Sequence, residues 1–166
     1  MGYSTGSAYN TTTILKDGSG QDTGYMGEKA FQEWLLYNRF AFTSCGSEVD
    51  HYDFIVHLKY RDITVDVKTK KRTVPYDHNL FDTHVNDTQM HFGCQLYVFA
   101  SLHDDAVHFG GWIKKKKYWQ DCERVKAGQK TSGGMVEKRD GGKMKHSALN
   151  DMESLKKIFK EIEVMQ

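Results

Sequence analysis

The chain has 166 residues, with 23 Lys+Arg against 22 Asp+Glu, 39% hydrophobic and 27% charged residues. That length suits a single domain with one core, and the composition excludes collagen-like, coiled-coil and wholly disordered classes. No apolar run approaches the roughly 20 residues of a membrane helix, and the opening MGYSTGSAYNTTT carries no apolar signal segment, so no membrane association and a reducing cytoplasm (a host's, if the chain is viral) are expected. Cys45, Cys94 and Cys122 are odd in number and far apart, which argues against a disulfide framework or a structural zinc site.

The near-zero net charge hides an asymmetry. Residues 112–146 hold 11 Lys+Arg and 4 Asp+Glu, and a second basic stretch runs from Lys59 to Arg72. Separated signs of this kind suit a polyanionic partner, although a solvated lysine-rich face would read the same way.

Residues 1–23, rich in Gly, Ser and Thr, read as a flexible arm, followed by a single domain over 24–166. Ala30, Phe31, Trp34 and Leu35 recur at helical spacing and predict a helix over about 24–39, ended by TSCGSE. DFIVHLKY and RDITVDVKTK alternate with period two and predict an antiparallel hairpin turning near Lys59-Tyr60. Phe54, Val56, Leu58, Ile63, Val65 and Val67 then share one face, and Asp53, His57, Asp66 and Lys68 the other. Residues 73–92 look irregular, with a short helix at most; CQLYVFASL and AVHFGGWI read as a third and fourth strand. A short helix is predicted over 114–122 and a mobile, glycine-rich basic loop up to about 146. Asn150 and Glu153 predict a capping box that opens a C-terminal helix over about 150–163. Helix, strands, helix in this order predicts an α+β class with a mixed sheet.

The residues that carry chemistry are Asp53 and the run Asp66-Val67-Lys68. A hairpin symmetric about Lys59-Tyr60 sets Asp53 opposite Asp66, with Cβ atoms about 4.5–5.5 Å apart. Two like charges that close favour an intervening cation, and carboxylate oxygens suit Mg²⁺ or its substitute Mn²⁺. Lys68, two residues on, emerges on the same side and could meet a phosphate, so the patch suits metal-assisted phosphodiester hydrolysis. Glu28 shares the helix face of Phe31 and Leu35, where a half-buried acid needs a partner; it could equally be a first-turn acid favoured by the helix dipole.

Glu28 on a first helix, Asp53 on a strand and Asp66-Val67-Lys68 on the next resemble the PD-(D/E)XK nuclease superfamily, most of all small members related to archaeal Holliday junction resolvases and restriction-endonuclease cores. The likeness covers about residues 24–113, and the family's proline before the first aspartate is Tyr52 here. It implies an αβββαβ core followed here by the basic loop region 114–146 and the C-terminal helix. It also implies Mg²⁺ bound by Glu28, Asp53, Asp66 and the Val67 carbonyl, with Lys68 orienting or activating water and stabilising phosphorane charge. The activity implied is endonucleolytic cleavage of DNA, on branched or otherwise structured substrates in recombination, repair or phage DNA processing. Symmetric cutting of both strands would require a homodimer. Some members carry a site glutamine near the position of Gln95. Lys70, Lys71 and Arg72, and the run Lys114, Lys115, Lys116 and Lys117, are the candidate DNA contacts. The competing readings are a catalytically inert nucleic-acid-binding module and a protein-interaction domain without a nucleic-acid role.

Overall fold

A computed structural model describes residues 8–10, 20–45, 52–130 and 136–164. The chain runs β1 (Ala8–Asn10), α1 (Gly20–Tyr37), β2 (Ala41–Ser44), β3 (Phe54–His57), β4 (Asp62–Lys71), β5 (Asp82–Asn86), a 3₁₀ turn (Asp87–Gln89), β6 (Leu96–His103), β7 (Ala106–Lys114), α2 (Lys115–Asp121), β8 (Glu123–Val125), β9 (Gly141–Lys145), a second 3₁₀ turn (His146–Ala148) and α3 (Met152–Val164). The class is α+β. A six-stranded mixed sheet has the order β1-β7-β6-β4-β3-β2, and a three-stranded sheet has the order β5-β9-β8. In the large sheet β4 and β6 run parallel and every other neighbouring pair is antiparallel.

The large sheet is covered on both faces. On one face α1 and α3 bury Phe31, Trp34, Val65, Val98, Leu155 and Phe159. On the other, α2 and the small sheet enclose Tyr97, Phe99, Ile113, Tyr118 and Met144. β6 lies in the middle and is buried along almost its whole length, as a parallel strand between two layers must be. No helix among the described residues is long and apolar enough to cross a membrane.

The β3–β4 hairpin has the predicted register. Phe54 pairs with Val65 and His57 with Asp62, and the Leu58 N–H reaches the Arg61 carbonyl across the Lys59-Tyr60 turn. α1 ends where Arg39 adopts φ 62°, the left-handed conformation that a glycine usually supplies at a helix end, while the Phe40 N–H closes onto the Leu35 carbonyl.

Several expectations are corrected. Helix α1 begins at Gly20, not 24, and Ala8–Asn10 pairs with β7 as an edge strand, so the arm assigned to 1–23 is partly ordered structure; residues 1–7 and 11–19 lie outside those described. β2 went unpredicted because it is four residues long and exposes three of them. The crossover from β4 to β6 has no α-helix: it contains β5 and a 3₁₀ turn where the αβββαβ order requires one. The basic region holds two strands, β8 and β9, in place of a mobile loop; residues 131–135 lie outside those described, as does the 46–51 segment with the second half of the predicted TSCGSE break. The cap of α3 sits one residue later than predicted, with the Ser154 N–H donating to the Asp151 carboxylate at 2.8 Å.

Candidate active site

The site forms where the sheet forks. β3 starts at Phe54, whereas β4 runs on from Asp66 to Lys71 with no β3 partner. Asp53 occupies the end of the fork. Its N–H donates to the Val65 carbonyl at 2.9 Å and its C=O accepts from the Cys45 N–H at 2.8 Å, so its backbone is held from both sides. Its carboxylate then takes the place of the missing strand and accepts the Val67 N–H at 2.7 Å. The N–H and C=O of one strand residue leave the same edge, so the Val67 carbonyl also faces this fork.

Glu28 arrives from α1. That helix lies unusually close to β4 at Gly27, where a Cβ would come within 1.7 Å of the Thr69 hydroxyl. The glycine therefore brings Glu28 down to the sheet. Glu28 is hydrogen-bonded to Asp53, and Asp53 to Asp66, giving a linked row of three carboxyl groups. Asp66 is only 7% exposed. It pairs with Lys68 Nζ at 2.7 Å. Lys68 in turn donates to Gln89 Oε1 and lies 5.9 Å over the Tyr97 ring.

Electrostatics follow from this crowding. Burial, then the charge of Asp66 and a hydrogen bond to it, then Glu28, push the Asp53 carboxyl up to about 8 against a partly opposing Val67 N–H. Burial and the Asp66 charge also raise Glu28, while its hydrogen bond to Asp53 opposes them. Asp53 is thus the proton carrier of the row. A folded-state acid that keeps its proton up to about 8, against 3.8 for the ordinary group, binds more protons than the unfolded chain between those values. Stability without divalent cations should therefore fall as pH rises from about 4 to about 8, and Asp53→Asn should flatten that slope. Chemical denaturation at pH 5, 6.5 and 8 in EDTA measures it; equal slopes for both proteins would show that Asp53 is not the carrier.

No three His, Cys, Asp or Glu side chains among the described residues stand around a common point as a metal-ligand set. The three acids lie side by side instead, each acting on its neighbours. The donor chemistry nevertheless fits a hard dication: oxygens only, mutually repelling and half-buried, which is the combination a proton or a cation must offset.

Of the predicted residues, Glu28, Asp53, Asp66, Val67 and Lys68 come together. Gln95 does not join them; its side chain accepts the Thr64 N–H at 2.9 Å and caps the β4 edge. Gln89 takes the position against Lys68, and nothing local marks it, because the crossover that delivers it has no periodic signal. Lys71 is exposed, and Lys70 is half-buried and held below the usual lysine range by burial and by Arg72. Arg72 is engaged internally, donating to Ser101 Oγ at 3.1 Å and to the Asp82 carbonyl at 2.8 Å. In the other run, Lys115 donates to the Phe92 carbonyl and Lys117 pairs with Asp121 at 2.8 Å, while Lys114 and Lys116 are exposed. Lys115 and Lys68 both act electrostatically on the buried thiol of Cys94, so α2 starts near the acid cluster. His57 serves the hairpin, bonded to Thr43 and Asp62.

No family model matches this chain, and no curated protein matches it.

Proposed function

We propose that this protein is a Mg²⁺-dependent nuclease of the PD-(D/E)XK kind, working in the cytoplasm and hydrolysing phosphodiester bonds of DNA, with branched or otherwise structured molecules as its substrates. The observation that carries this reading is the fork at the β4 edge, where Glu28, Asp53 and Asp66 adjoin one another and Lys68 projects beside them. Glu28, Asp53, Asp66 and the Val67 carbonyl would hold the ion. When bound, Mg²⁺ supplies Lewis acidity toward a phosphoryl oxygen and eases deprotonation of the attacking water.

The chain's own part is positioning. Asp66 and Gln89 take two of the three N–H donors of the Lys68 ammonium, and the third is left for a phosphate oxygen. Fixed in this way, Lys68 stabilises the negative charge that grows on the phosphoryl group without first having to be ordered. One acid row serves one strand, so symmetric cutting of a duplex would take a homodimer.

Incubation of plasmid, linear and four-way-junction DNA with the protein in Mg²⁺, Mn²⁺ or EDTA is the test. Cleavage with either cation and none in EDTA is expected; intact DNA throughout, or cutting in EDTA, would refute the reading.

Among the described residues, Lys114 and Lys116 enter no ion pair, unlike Lys117. Lys114→Gln together with Lys116→Gln should weaken DNA binding evenly across sequences, since lysine is a point charge that follows phosphates. The log–log salt slope should flatten by about 0.9 per lost duplex contact. An unchanged slope in titrations at several salt concentrations would make the run an ordinary solvated face.

A further inference from the structure

We propose that the cleft between the two sheets receives the terminal phosphate of a DNA strand. The inference rests on the nuclease reading and adds to it a class of substrate: strands with a phosphorylated end. The cleft has a volume of about 160 Å³ and is lined by Lys68, Lys70, Arg72, Asp82, His84 and His146, among others. Lys68, Lys70 and Arg72 alternate along β4 and its continuation, so they project to one side. Each step of two residues is about 6.6 Å, which sets the cleft about 7–13 Å from the acid row. A strand end seated there brings a phosphodiester very near its terminus to Lys68.

The lining favours an anion. Three cations face one acid, Asp82, and Lys68 is further offset by Asp66. His84 is turned to Glu137 at 3.0 Å and Asn86 at 3.2 Å. His146 is wall, not receptor. Arg72 can only donate, so its 3.4 Å contact makes His146 Nε2 the acceptor and leaves Nδ1–H for Tyr76 Oη at 3.2 Å. Burial and the neighbouring Arg72, Lys70 and His78 charges hold His146 down to about 3, so it stays neutral. Lys70 is a half-buried cation in the cleft wall that burial and then Arg72 hold below the usual lysine range, against Glu137 and Asp82, so an anion seated there would favour its charged form.

Arg72 stands at the end of the cleft away from the acid row. Arg72 ties β4 to β5 through the Asp82 carbonyl and to β6 through Ser101, and its guanidinium lies 4.2 Å over the Phe81 ring. Charge is what favours a strand end over a continuous strand in this cationic cleft. A terminal monoester carries about −1.5 to −2 charge at neutral pH, more than the single charge of a diester.

Two measurements test this. In thermal melts, inorganic phosphate should raise the melting temperature of the wild type above chloride at equal ionic strength, with the rise lost in Lys70→Met and kept in Lys70→Arg. Oligonucleotides with a 5′-phosphate, a 3′-phosphate or only hydroxyl ends are then titrated in EDTA, where no hydrolysis competes. One phosphorylated end should bind about tenfold tighter than hydroxyl, the scale of one charge-assisted hydrogen bond, and Lys70→Met should bring the two near parity. No phosphate effect on melting overturns the receptor, and a phosphate effect without end preference overturns the terminal assignment. Melting and end preference as expected, with no DNA cut in Mg²⁺, would sink the nuclease reading and leave the receptor standing.

Discussion

Asp66→Asn is expected to abolish DNA hydrolysis, lowering the single-turnover rate by about 10²–10³-fold or more, the scale of losing one preorganised electrostatic partner. Asp66 is the least exposed of the three acids and the one that touches both of the others' fields. It also anchors Lys68 at 2.7 Å, so the amide removes a candidate ligand charge and loosens the lysine together. The fold should survive, because asparagine keeps the shape, and one source of repulsion on Asp53 and Glu28 disappears. That repulsion is felt as Asp53 ionises toward about 8. The melting temperature of the variant relative to wild type should therefore climb between pH 6 and pH 9 in EDTA. Near-normal cleavage at saturating Mg²⁺ would remove Asp66 from the chemistry, and a relative melting temperature that falls with pH would remove it from the acid row.

Gly27→Ala should have the second largest effect, on stability and activity together. The added methyl meets the Thr69 side chain at 1.7 Å from its hydroxyl and 2.8 Å from its Cβ, so α1 must lift from β4. Overpacking of this kind costs about 1–3 kcal/mol. The lift also carries Glu28 away from Asp53, and a misplacement of about 1 Å can cost a hundredfold in rate. Thr69→Ala should recover part of both losses in the double variant. The Thr69 hydroxyl is buried with no hydrogen-bond partner, so its removal alone is cheap. A double-mutant cycle in denaturation and cleavage separates the two; strict additivity would show that the contact does not position Glu28.

The hairpin and its acids were legible because a two-residue connection and strict alternation leave one register. Phe54 against Val65 puts Asp53 across from Asp66, and the apolar face is buried as read. Glu28 was legible from the stripe that includes Phe31 and Leu35. The second sheet was not. Its middle strand begins Gly141-Gly142, and glycines among lysines read as looseness. Here they mark crowding: a Cβ at Gly141 would stand 2.2 Å from the Val85 carbonyl, and one at Gly142 would stand 2.6 Å from Cys122 Sγ. Sequence shows that a side chain is missing, not which neighbour takes its space. Gln89 was hidden for a related reason, since its role depends on a sheet assembled from three distant stretches of chain.

That assembly has a temporal meaning. β9, residues 141–145, is the strand between β5 and β8, so neither can join the small sheet until residues 141–145 have been made. A nascent chain emerging from its N-terminal end can close α1 and the first strands of the large sheet much earlier. The clamp of Gln89 on Lys68, carried by the turn that follows β5, awaits that late strand. The ammonium group is thus locked into place only once β9 has been made, after the carboxylates that would grip the cation. Pairings between segments this far apart also slow folding through the cost of closing long loops.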